Sequence, residues 1–182
     1  MSRPIEIHGY AIASRDDRIA GVDGRTPDAL RNEADWAYFQ RELDQADIVA
    51  IGRLGHEANP NPRRRRRLVL SRSAKGLERR ADAWWWNPER LAWAEAHAAL
   101  LPAGGRVAVP GGRDVFDLFL AIGYDAFHLS RAERVTLGAG RAVFSACERG
   151  GAAAVLTGAG LSAGAVQVLD AAADVTLTVW RR

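Results

Sequence analysis

A few acids, glycines and arginines stand at spacings that could do chemistry. Asp35 and Phe39 are four residues apart in a stretch of helical periodicity, so both face one side. A carboxylate accepts two hydrogen bonds side by side. The plainer alternative is an exposed helix acid beside a core Phe. Gly111-Gly112 separates a strand pattern from a helix pattern. Two glycines allow an unusual peptide and close backbone approach to a ligand, and the helix start beyond them offers free N–H groups to a phosphate. An ordinary tight turn would look the same. Arg53, Ser71 and Arg72 fall at strand ends. Two arginines with a serine suit a ribose 2′-phosphate, hence NADPH over NADH, unless they are simply solvated.

Residues 63–67 are five consecutive arginines. They could capture an anionic tail or contact nucleic acid, or form a solvated loop. Mutual repulsion argues that not all five serve one anion. His8, His56, His97 and His128 are scattered and lack spacings such as HExxH, so no metal site is expected. Cys147 is the single cysteine, which excludes an internal disulfide and a thiolate cage. No P-loop and no GxSxG elbow occurs.

The elements that must position these residues follow from periodicity. Residues 5–14 read as a first strand, and Asp16, Asp17, Gly21, Gly24 and Pro27 as a long loop. Leu30, Ala34, Tyr38, Leu43 and Ala46 mark a helix over residues 30–46. Short strands are expected over 48–51, 68–70 and 83–86. A helix with Pro88 in its first turn is expected over 88–101. Then come a strand over 106–109, a helix over 113–122 and a strand over 124–130 ending at Ser130. Residues 135–144 are broken by glycine. Residues 152–156 and 175–180 read as a last, antiparallel strand pair. Strands alternate with helices for most of the length, which predicts an α/β fold with a largely parallel sheet and helices on both faces.

The chain has 182 residues, 48% hydrophobic and 26% charged, which suits one globular domain over residues 1–182. It carries a net charge of +3, and Lys75 is the only lysine. Abundant arginine with much Ala and Gly fits a GC-rich genome, so the total is discounted as a sign of nucleic acid. No apolar run reaches the roughly 18 residues of a membrane span. Residues 1–9 lack the apolar core of a signal peptide. A cytoplasmic protein without membrane association is expected, as a monomer or homodimer.

Five segments in order resemble the dihydrofolate reductase superfamily. Ala11-Ile12-Ala13-Ser14, continuing to Ala20-Gly21, resembles its first strand and loop entry. Glu33-Ala34-Asp35-Trp36-Ala37-Tyr38-Phe39 resembles its first helix, with an acid four residues before a Phe. Gly52-Arg53 resembles its cofactor-binding pair, and Arg67-Leu68-Val69-Leu70-Ser71-Arg72 its phosphate-reading strand end. Val109-Pro110-Gly111-Gly112-Arg113-Asp114-Val115-Phe116 is similar to its Gly-Gly strand–turn–helix. The resemblance implies an NADPH-dependent reductase acting on a small pterin. Asp35 would be the catalytic acid. Ile12, Ala13, Trp36 and Phe39 would touch the substrate, Arg65 its anionic tail, and Ser130 would support Asp35. Ala20, Gly21, Gly52, Arg53, Ser71, Arg72, Pro110, Gly111, Gly112, Arg113, Asp114, Val115, Phe116 and Arg141 would line the cofactor.

The chain departs from this pattern mainly around the substrate. The Trp usual after Pro27 is absent, the loop before Asp35 carries about two extra residues, and Gly55 replaces an expected Thr. Trp36 is bulkier than usual. Dihydromethanopterin or the riboflavin-pathway pyrimidine therefore stand beside dihydrofolate as substrates, and a non-catalytic NADPH- or RNA-binding protein is the alternative outside catalysis. Two other motifs lose their pull. Gly158-Ala159-Gly160 resembles a sirtuin turn but leaves no room for the nucleotide fold that should follow. A strand through Trp84-Trp85-Trp86 sends Trp85 to the face opposite its neighbours, which argues for packing rather than a base-stacking platform.

Overall fold

A computed structural model describes residues 3–182. The first strand, β1 (Ile5–Ser14), lies at the centre of a nine-stranded sheet. Its neighbours are β7 (Gly105–Val109) and β8 (Ala126–Ala132), both parallel to it. Beyond β7 come β3 (Ile48–Gly52), β4 (Arg67–Leu70) and β6 (Trp84–Trp86), again parallel, closed by the short antiparallel β5 (Leu77–Arg79). Beyond β8 the sheet ends in antiparallel β11 (Val175–Arg181) and β10 (Ser162–Asp170). A two-stranded ribbon joins β2 (Arg18–Ala20) to β9 (Arg141–Ala142). The α/β class, the largely parallel sheet and the antiparallel C-terminal pair all agree with the sequence reading.

Strand side chains alternate between two faces, and each face buries different helices. Ile7, Ala13, Ile48, Ala50, Leu68, Trp86, Val107, Val109, Phe127 and Leu129 join one core. That core also holds buried residues of α3 (Trp93–Leu100), α4 (Arg113–Ile122) and α5 (Gly151–Gly158). The alternate residues Tyr10, Val49 and Ala108 pack with Leu43 and Phe39 of α1 (Glu33–Asp44), and Ile51 packs against the short α2 (Arg53–Ala58). Trp85 joins Ile51 and Val69 while Trp86 joins the main core, as the alternation requires. In the middle of β1 a Cβ on Gly9 would lie 2.3 Å from the buried Phe127 ring, so only glycine lets these groups meet. Cys147 is buried in the main core, which pushes its thiol up from the usual range.

Several elements differ from expectation, each for a local reason. The first helix starts at Glu33 because Asn32 caps it, accepting from Ala34 N and Asp35 N at 3.0 Å each. Leu30 is instead buried from a 3-10 turn, Asp28–Leu30. Residues 88–92 are not helical. Asn87 holds them in a turn, its Oδ1 accepting from Glu89 N and its carbonyl from Arg90 N and Leu91 N. Residues 152–156 are helix, not strand. Alanine is the strongest helix former, and Ala152 and Leu156, four apart, share the buried face. The true partner of the last strand is β10. The strand containing Ser130 continues past it to Ala132.

Candidate active site

The six parallel strands β8, β1, β7, β3, β4 and β6 end on one edge of the sheet, at Ala132, Ser14, Val109, Gly52, Leu70 and Trp86. Open α/β sheets bind ligands beyond such carboxyl ends. The predicted cofactor residues gather there. Gly52 ends β3 and begins α2, and a Cβ on it would lie 3.3 Å from Val115 of α4, so the two segments approach closely. Arg53 pairs with Glu57 one turn on, at 3.0 Å. Ser71 and Arg72 follow β4. The Ser71 and Ser73 hydroxyls are 2.9 Å apart, and Asn87 Nδ2 donates to the Arg72 carbonyl at 3.1 Å, fixing the turn while leaving Arg72 exposed.

Pro110 leads from β7 into Gly111-Gly112, whose peptide is cis. Gly111 has φ +111°, and a Cβ there would meet the Phe116 ring at 3.1 Å. A Cβ on Gly112 would meet nothing within 4 Å. Gly112 caps the first turn of α4, its carbonyl accepting from Val115 N and Phe116 N, while the N–H groups of Arg113 and Asp114 lack intrahelical acceptors. Arg113 Nε is buried beside it without a hydrogen-bond partner. Asp114 is 85% exposed, with its carboxylate 3.7 Å from that nitrogen, while Val115 and Phe116 turn into the core. In the β2–β9 ribbon, Ala20 pairs with Arg141, next to Gly21. These residues fit a dinucleotide phosphate site: an open glycine, two helix N–H groups without intrahelical acceptors and a guanidinium nitrogen without a hydrogen bond.

Asp35 lies in the first turn of α1, on the sheet face that carries Ser130. Burial raises the pKa of its carboxyl above the usual range, partly opposed by a hydrogen bond from the Ser130 hydroxyl. Ser130 is registered opposite Ile12, so strand pairing sets the support beneath the acid. Ile12 shares that face, packed near Leu30 and Ala132, whereas the Ala13 side chain is buried in the opposite core and only its backbone could meet a substrate. Phe39 is half-buried, with its ring 6.2 Å from Tyr10 and 5.7 Å from Trp36. Trp36 is 59% exposed, and Leu54 at the start of α2 is 68% exposed, leaving unspent apolar surface at this edge. Arg65 is not free. Its guanidinium donates to Asp44 Oδ1 at 2.6 and 2.9 Å and to the Gln40 side chain at 2.8 Å. Arg63 pairs with Asp44 as well, and Arg64 to Arg67 border an open depression of about 660 Å³ with Arg79 and Asp82.

The sequence reading missed a polar row beneath α1. Asp35, Tyr38 and Glu42 are spaced to share one helix face. Below them, the Tyr38 hydroxyl lies 2.5 Å from His128 Nδ1, and His128 Nε2 lies 3.3 Å from His8 Nδ1. The Tyr10 hydroxyl donates to Glu42 at 3.2 Å. Burial lowers the pKa of His8 to about 4 and of His128 to about 3, and raises that of Tyr38 to about 12. Period-two alternation puts residues 8, 10 and 12 on one face, but pairing across strands 120 residues apart leaves no mark in the sequence.

No protein-family model matches the chain, and no curated protein matches it. Solved structures do. A protein assigned to riboflavin biosynthesis from Shewanella sp. PV-4 superposes with TM-score 0.72 at 18% identity, covering 98% of this chain and 99% of that one. Dihydrofolate reductase from Enterococcus faecalis, solved with NADP(H) and RAB-propyl, superposes with TM-score 0.67 at 14% identity, covering 100% and 99%. The fold is dihydrofolate reductase-like. Gly112, beyond the end of β7, and Asp35, held by Ser130 near the end of β8, both lie toward the carboxyl edge of the sheet. No helix among the described residues is long and apolar enough to cross a membrane.

Proposed function

We propose that the protein is a single-domain NADPH-dependent reductase that adds hydride to a C=N bond of a dihydropterin, either dihydrofolate or a related reduced pterin such as dihydromethanopterin. The observation that carries the reading is Asp35, a buried carboxyl with a raised pKa, hydrogen-bonded by Ser130 and placed, like the open Gly112, toward the carboxyl edge of the sheet. Bound NADPH would supply the hydride. Gly112 and the start of α4 would admit its phosphates, Arg113 would meet one of them, and Ser71 with Arg72 would read the 2′-phosphate. Asp35 would accept paired N–H groups from the ring and favour protonation of the nitrogen beside the reduced carbon. Phe39 and Trp36 would cover the ring's apolar side.

A second reading has one specific observation in its favour. Arg65 is held by Asp44 and Gln40, which suits a substrate without the carboxylate tail of dihydrofolate. The pyrimidine of the riboflavin pathway meets that condition. NADPH oxidation, followed by its near-ultraviolet absorbance, separates the readings when dihydrofolate, dihydromethanopterin and that pyrimidine are compared. Turnover with a pterin supports the first proposal. Turnover with the pyrimidine alone replaces it, and NADPH binding without any turnover points to a non-catalytic protein.

A further inference from the structure

We propose that His8, His128 and Glu42 form a binding site for one divalent transition-metal ion of the zinc class, separate from the reductase crevice. One ligand atom from each of the three lies within 4.8 Å of the others. The key distance is between the rings. His8 Nδ1 and His128 Nε2 face each other at 3.3 Å. Two nitrogens held about 2.0–2.1 Å from one ion at the tetrahedral angle stand about 3.3 Å apart. The strands produce this spacing: Tyr10 is registered opposite His128, and His8 lies two residues back on the same face.

The surroundings suit a metal in two further ways. The Tyr38 hydroxyl, 2.5 Å from His128 Nδ1, can accept that ring's N–H, which turns the Nε2 lone pair toward His8. Ligating histidines are commonly oriented by such an outer partner. Glu42 Oε2 already receives the Tyr10 hydroxyl at 3.2 Å and lies 3.7 Å from Arg106 Nη1, so its other oxygen is the one left for a cation. His8 also has Glu6 at 3.7 Å on its far nitrogen. Three protein ligands leave a fourth position for water. His8 and Glu42 retain 12% and 18% side-chain exposure, enough for entry from solvent. Glu42 lies seven residues along α1 from Asp35, about 10 Å at 1.5 Å per residue, so the ion would not touch a ring held by Asp35.

The test is titration of untagged, chelator-treated protein with Co²⁺, read by visible absorption and by NMR of the histidine rings. The expected result is one ion per chain, bands of tetrahedral intensity, displacement by Zn²⁺, and large paramagnetic shifts for His8 and His128 but not for His56 and His97. Tyr38→Phe should weaken binding about 10- to 100-fold, and Glu42→Gln by more. Absence of stoichiometric binding in the wild-type protein would overturn the proposal. So would shifts centred on His56 or His97. The wild-type ring spectra decide the matter even if a variant fails to fold, and neither readout depends on reductase activity.

Discussion

At the scale of single residues, Asp35 is where the proposed function and stability conflict. Its carboxyl is held above the ordinary value of 3.8 by burial. The folded state therefore binds the proton more tightly than the unfolded chain. The resulting stability is fully present below the ordinary value and is lost as pH rises through it toward the raised one. Asp35→Asn should thus raise the melting temperature at pH 7, with no gain at pH 3, as calorimetry at the two pH values would show. The same variant should lower turnover about 100- to 10,000-fold while leaving NADPH affinity unchanged. A variant with normal turnover would remove Asp35 from the mechanism. Arg72 offers a second test. It is exposed on a turn fixed by Asn87, so Arg72→Gln should spare the fold. Loss of a charge-assisted contact to the 2′-phosphate should reduce the preference for NADPH over NADH about 10- to 100-fold, read from the two dissociation constants.

At the scale of elements, β1 has little room for substitution at its middle. Gly9→Ala would drive a methyl into Phe127, which is wholly buried between α4 and the sheet. Overpacking of this kind costs about 1–3 kcal/mol or more. A drop in the urea midpoint with an unchanged slope would register it. β1 and α4 were legible in the sequence to the residue, because both are bounded by sharp signals: turn acids after Ser14, and Gly-Gly before Arg113. The Gly-Gly turn, Asp35 and Ser130 were legible through motif and spacing. What escaped was structure set by distant partners. Residues 152–156 are apolar enough for a strand, and only the packing of Ala152 and Leu156 against the main core shows a helix. β10 escaped because its run of small exposed residues carries no hydrophobic period. The pairing of Arg65 with Asp44 depends on how α1 lies over β4, which no local pattern records.

At the scale of the whole molecule, Asp35 and Gly112 belong to segments far apart in sequence, and a ligand spanning them would bind only the folded chain. NADPH at 100 times its dissociation constant should add about 2.7 kcal/mol of stability. For a protein of this size that is a rise of about 5–10 °C in melting temperature, with a smaller rise for NADH at equal concentration. Equal shifts would argue against 2′-phosphate recognition. Protection should also be uneven. β7 and β3 lie inside the sheet and should exchange amide hydrogens only on global unfolding, whereas β10, an exposed edge, should exchange quickly. The lone buried thiol turns this hierarchy into a clock. Cys147 is buried at the edge of the main core, in a 3-10 turn between exposed Ala146 and Glu148, so a bulky aromatic disulfide reagent needs this edge to open before it can react. With no second cysteine to confuse the signal, the rate of its labelling counts how often this part of the core opens, in a chain that needs no engineered probe.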